Sequence, residues 1–204
     1  MTFFASLRHG FLPVPADGRI DTRAFLDAAR EIVPFFDVLG PTAFAPVKSD
    51  INGNIKKLQK KHDEDAAKYT TLQGIVESEM EEGTTKAKNS ATDALLWLKR
   101  ALQFICVFLE KVLDGEEDLT KCARAAYEAS LKRFHGWIVR GVFALAVRAV
   151  PYRKDFIKAL QHGTDVGEEA VLFEMREHMS VLSANVEVLS KFYIDKGQDS
   201  DKTV

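Results

Sequence analysis

The chain has 204 residues, 46% of them hydrophobic, which suits one domain with a substantial core. Lys and Arg total 28 against 30 Asp and Glu, a formal charge of −2, and so near-neutral a chain lacks the net basic surface that nucleic-acid binding needs. Only 12 Gly and 6 Pro exclude collagen-like and low-complexity classes, whereas 14 Phe call for an aromatic interior or a cavity lined by one.

In chain order, the pattern is helical throughout, with no clean period-two run bounded by turn residues. Asp21-Thr22 reads as a helix start before Phe25, Ala28, Ala29, Ile32 and Val33. Pro34 disturbs that helix and Gly40-Pro41 ends it. A second helix is predicted over 42–62, with Phe44, Val47, Ile51, Ile55 and Leu58 on one stripe, and a third over 65–80, closed by Glu82-Gly83. Ser90 caps a long helix to about Leu113, stopped by Asp114-Gly115. Its apolar stripe is too wide for a single helix–helix contact, with Lys99, Arg100, Gln103 and Glu110 on the polar remainder. Further helices are expected over 117–134, 137–150, 154–161 and 167–192, and the last ten residues read as a frayed polar tail. The expectation is an all-α, two-layer sandwich of about eight helices in a single domain, 1–204, with its core at about 21–193 and its polar tail at about 195–204.

Cys106 and Cys122 sit in apolar helical contexts and read as buried free thiols. The first residues show no long apolar core after a basic start, which argues against a signal peptide, and no run of about 18 apolar residues occurs. A soluble, cytosolic protein is the expectation. Phosphate-binding glycine loops and the Gly-x-Ser-x-Gly elbow are missing, and the five histidines lack metal-ligand spacing. These features argue against an enzyme, a metal site or a cofactor.

Asp50, Asn54 and Lys57 follow an i, i+4, i+7 spacing and share an arc of about 60° beside the apolar stripe of their helix. An anionic acceptor, an amide and a cation thus line up at the rim of a buried face. The same spacing also suits a solvent-facing ion pair worth about 0–1 kcal/mol. Gly53, on the same arc, costs about 1 kcal/mol relative to Ala and leaves room for close approach to the backbone. Asp93, Trp97 and Arg100 share another face; an indole beside carboxylate and amide groups can hold a sugar, although core packing is the simpler reading. His135 could add a hydrogen bond or serve as a core or capping histidine. Residues 137–154 combine Trp137, Ile138, Phe143 and Tyr152 with Arg140, Arg148, Arg153 and Lys154, which suits contact with a membrane interface or an ordinary amphipathic core helix.

The blocks PFFDVLGPTAFAPVKSDINGNIKKL (34–58), ATDALLWLKRALQFICVFL (91–109), YEASLKRFHGWIV (127–139) and VPYRKDFIKAL (150–160) resemble the glycolipid transfer protein family in sequence and order. The combination of D-x-x-x-N-x-x-K, W-L-K-R and H-G-W carries the resemblance. It implies a monomeric carrier, without catalysis or cofactor, that binds one glycosphingolipid with a neutral sugar and moves it between membranes by transient peripheral contact. A glycolipid sensor with the same pocket, or a ceramide-1-phosphate-type carrier, is the alternative. By this resemblance Trp97 stacks on the first sugar, Asp50 with His135 fixes the ceramide amide, and Asn54 and Lys57 bind sugar hydroxyls. Phe35, Phe36, Phe44, Ile51, Phe104, Phe108 and Phe143 line the hydrocarbon tunnel, while Trp137, with Arg140 and Tyr152, docks on the bilayer. Two positions depart from the family's animal members. The tail ends Lys202-Thr203-Val204 without their closing aromatic, and Asp93 replaces an apolar residue, an extra carboxylate expected to contact the headgroup and disfavour phosphate or sulfate esters.

Overall fold

Asp21 accepts a hydrogen bond from the Ala24 amide at 2.8 Å and starts α1 (Thr22–Ile32) in the computed structural model, which describes residues 1–204. Pro34 has no amide hydrogen to continue that helix. The chain therefore re-enters as the single turn α2 (Phe35–Leu39), ended by Gly40 at φ +148°. A Cβ at Gly40 would stand 3.2 Å from that of Ala149, so glycine also permits this close approach. Next come α3 (Ala45–Glu64), α4 (Leu72–Glu81), α5 (Ala91–Leu113), α6 (Leu119–Ser130), α7 (Trp137–Ala146), α8 (Arg153–Gln161) and α9 (Glu168–Asp195). The architecture is all-α, with eight helices of nine residues or more besides the short α2.

The sequence expectation for the third helix fails at its start. Residues 65–68 form a turn, and 69–71 tie the start of α1 instead of extending α4. The Thr22 amide donates to the Thr70 carbonyl and the Leu72 amide to the Ile20 carbonyl, both at 2.9 Å. The Thr22 hydroxyl donates to the Tyr69 carbonyl, also at 2.9 Å. Thr71 then caps α4 by accepting from the Gly74 amide at 3.1 Å.

The long helix α5 lies centrally, packed by α3, α4, α6 and α9. This explains its broad apolar surface and makes the sandwich two-layered. The Ser90 side chain caps it as expected, accepting from the Asp93 amide at 3.0 Å. One continuous buried apolar cluster runs through the chain and includes Phe3, Phe4, Phe11 and Ile20, so the packed interior begins before residue 21. Cys106 and Cys122 are buried and free, and burial pushes their thiols up to about 12 and about 11. No helix is long and apolar enough to cross a membrane.

Lys99 and Arg100 are buried, contrary to their expected place on a polar face. Both meet the tail, which turns back instead of fraying. Asp199 lies 3.1 Å from Arg100, 3.7 Å from Arg133 and 4.0 Å from Lys99. Arg100 also donates to the Ser200 carbonyl at 2.5 Å. The Val204 amide then donates to the Phe134 carbonyl at 2.9 Å, and its carbonyl accepts from Gly136 at 2.7 Å.

Candidate functional site

Helices α3, α5, α6 and α7 enclose a cavity of about 420 Å³, within the size range of small-ligand pockets. Asp50, Asn54 and Lys57 from α3, Asp93 and Trp97 from α5, and His135 from the connection before α7 all line it. The six expected headgroup residues, drawn from three separate sequence blocks, therefore meet at one cavity.

Asn54 is buried and donates to Asp50 at 3.2 Å. Asp50 and Lys57 do not form a direct ion pair, although the Lys57 charge still favours ionised Asp50. The solvent-facing pair considered from spacing is thus replaced by an amide-oriented carboxylate at a cavity wall. Desolvation holds the Asp50 carboxyl above its ordinary value and outweighs Lys57; the Asp93 charge adds to the rise, and the Asn54 hydrogen bond opposes it. Gly53 lies outside the lining, with open space where a Cβ would stand, so no part of the fold needs the close approach it allows.

Trp97 is half-buried. The His135 ring stacks on its indole at 5.7 Å and 14°, and Phe134 meets it edge-on at 6.3 Å. The buried Arg100 guanidinium sits 3.3 Å from the Phe134 ring centre and 5.1 Å from the indole. The tryptophan is therefore held in place by its neighbours while it faces the cavity. Partial burial, with the charges of Arg140 and Arg100, lowers the His135 pKa and favours the neutral ring. A neutral imidazole offers one donor and one acceptor, and Nδ1 lies 3.0 Å from the Tyr127 hydroxyl.

Tyr127 lines the cavity, holds His135, and stacks on Phe143 at 3.7 Å. Nothing in the local pattern marks it as functional, although it opens the block that contains His135. On α6 it follows the apolar series Cys122, Ala123 and Ala126, which makes it look like ordinary core.

The lower wall is apolar. Phe36, Phe44, Ile51, Phe104 and Phe143 line it as expected, but Phe35 and Phe108 do not. These two are fully buried behind the wall, with Phe35 6.0 Å from Phe36 and Phe108 6.3 Å from Phe104. Phe156 extends this aromatic cluster, 5.7 Å from Phe108. Helix α7 adds Val139, Val142 and Ala146 to the cavity lining.

On its outer side α7 exposes Trp137 (83%), Ile138 (61%) and Leu145 (63%), with Tyr152 (85%) nearby in sequence. Of the two readings of 137–154, an ordinary core helix does not fit this outer face. Arg140 is exposed, but its Nε donates to the carbonyls of Lys132 at 3.1 Å and His135 at 2.7 Å, which braces the connection carrying the imidazole.

The glycolipid transfer protein (GLTP) family model matches residues 20–162. The chain is 40% identical over 205 residues to the glycolipid transfer protein of Danio rerio, covering 97% of this chain and 98% of that protein. It is 42% identical over 211 residues to pleckstrin homology domain-containing family A member 8 of Homo sapiens, spanning 100% of this chain but 40% of that longer protein. Among solved structures, the GLTP-fold of FAPP2, which selects simple glycosphingolipids, matches with a TM-score of 0.92 at 41% identity over 100% of both chains. The fungal glycolipid transfer protein HET-C2 matches with a TM-score of 0.88 at 34% identity, over 98% of this chain and 100% of that one. Mouse ceramide-1-phosphate transfer protein shares the fold alone, with a TM-score of 0.86 at 21% identity over 98% of this chain and 99% of that one. The shared family model, the close full-length relative and the fold agree: this chain belongs to the glycolipid transfer protein family.

Proposed function

We propose that the chain acts as one lipid-carrying domain that binds a single glycosphingolipid and moves it between membranes. The observation that carries this reading is a polar mouth of Trp97, Asp50, Asn54, Lys57 and His135 above an aromatic floor. Trp97 offers an apolar face to the C–H side of a sugar, and Asn54 and Lys57 supply donors to its hydroxyls. Asp50 accepts from the lipid amide, and the neutral imidazole of His135 provides the complementary hydrogen bond.

The hydrocarbon chains enter between Phe36, Phe44, Phe104 and Phe143 and part the aromatic cluster behind them. Each methylene withdrawn from water contributes about 0.8 kcal/mol, so the carrier must shelter the chains as fully as the bilayer does. No bond is made or broken, and a concentration gradient suffices to drive transfer. The exposed side of α7 enters the membrane interface through Trp137, assisted by Tyr152, which brings the cavity wall against the lipid source. Between encounters the protein travels as a cytosolic monomer.

Transfer of glucosylceramide between donor and acceptor vesicles tests this reading. Trp97→Ala should lower the rate at least about tenfold, equivalent to about 1.4 kcal/mol of lost headgroup binding, with helicity unchanged. Native mass spectrometry after exposure to a mixed lipid extract should show one bound glycolipid per chain. Absence of that complex, or undiminished transfer by the folded variant, would refute the carrier reading.

A further inference from the structure

Asp93 stands one turn before Trp97 on α5 and lines the same cavity. Its backbone amide is spent on the Ser90 cap, but its carboxylate takes part in no hydrogen bond or ion pair within the protein. On the neighbouring helix α3, Asp50 accepts only from Asn54. The charge of Asp93 bears directly on Asp50, so the two carboxylates share one electrostatic environment.

Lys57 is the only lysine or arginine in the lining. The nearby guanidinium groups are engaged elsewhere: Arg100 with Asp199 and Ser200, and Arg140 with the carbonyls of Lys132 and His135. The mouth is therefore net negative, with carboxylates on two helices that pack against each other and the uncommitted one a single turn before the indole.

Resting on the glycolipid reading above, we propose that Asp93 is a specificity-determining residue that acts with Asp50 as a charge filter. Asp93 accepts a hydroxyl of an uncharged sugar while Asp50 keeps the lipid amide, and their combined charge holds an amine substituent more firmly still and repels a sugar bearing sulfate or phosphate. A hydrogen-bond acceptor and a fixed charge discriminate more sharply than apolar fit, because the wrong headgroup leaves like charges facing one another.

The test uses three lipids in phosphatidylcholine vesicles, with binding followed by tryptophan fluorescence: galactosylceramide, its 3-sulfate, and galactosaminylceramide. The unaltered protein should bind the sulfate at least about tenfold more weakly than the neutral lipid, and the amine about threefold more tightly. Asp93→Asn, of nearly the same shape, should bring both ratios toward unity. Added salt should narrow the ratios of the unaltered protein without any substitution, because the rim is open to water. Ratios unmoved by both Asp93→Asn and salt would overturn the filter while the carrier reading stands. Failure of the unaltered protein to bind any of the three lipids would overturn both.

Discussion

His178 lies on α9 between the rings of Phe4 and Phe11, at 5.3 and 5.9 Å, and its Nε2 is buried without a partner. Burial pushes its pKa down from 6.5 to about 4. Above pH 6.5 the ring is neutral in both folded and unfolded chains, and no stability is lost. As the pH falls, the unfolded chain takes up the proton first, so stability declines from about 6.5 and the loss is complete below about 4. The full loss is about 3 kcal/mol. His178→Phe keeps a ring between Phe4 and Phe11 and should flatten this acid-side decline by a similar amount in thermal unfolding followed from pH 7 to pH 4. At the mouth, Asp50 shows the same influence of burial on a carboxyl group: spacing placed it on a helix face, but only the packed neighbours determine that it holds its proton more readily than a free aspartate.

At the scale of elements, the first turn of α5 is fastened by the buried Glu79 of α4. One carboxylate oxygen accepts from the Ala91 amide at 2.8 Å; the other accepts from the Thr92 amide at 2.9 Å and its hydroxyl at 2.7 Å. The Tyr193 hydroxyl completes the joint by donating to the Thr92 carbonyl at 2.8 Å. A negative group at a helix N-terminus also matches the helix dipole. Glu79→Ala should cost about 3 kcal/mol in urea unfolding because it strands buried amides. Glu79→Gln should cost less, since it retains an acceptor. Both should weaken glycolipid binding, as Asp93 and Trp97 stand on the turns that this joint orients. Local patterning identified α5 and its Ser90 cap correctly, because both depend on near neighbours. It does not locate the start of α4, because the Tyr69 and Thr70 carbonyls are claimed by hydrogen bonds to the start of α1, more than forty positions away. The tail differs from expectation for a similar reason: its polar composition describes a free end, but Asp199 answers the buried cations Lys99 and Arg100 of α5.

For the molecule as a whole, α7 serves the cavity on one side and presents an apolar surface on the other. This places the proposed docking surface on the wall through which a lipid would pass. Burial of a large apolar side chain contributes about 1.5–3 kcal/mol, so Trp137→Ala together with Leu145→Ser should reduce vesicle association by at least about tenfold. Transfer should fall in parallel, whereas binding of a short-chain glycolipid free in solution should be retained. Equal loss in both assays would place Trp137 in the cavity's support rather than at the membrane.

Helical periodicity, caps and breakers in the amino-acid order determined most of the helices, because these signals act over three or four residues. The D-x-x-x-N-x-x-K, W-L-K-R and H-G-W blocks likewise carried the family and the residues of the mouth. Tertiary structure alone decided that these blocks converge on one cavity, that Tyr127 supports His135, and that Phe35 and Phe108 stand behind the wall instead of lining it. It also decided that Lys99 and Arg100 are buried against the returning tail. The physical reason is that burial and electrostatic environment depend on what packs across from a residue, and those partners lie tens of positions away in the chain.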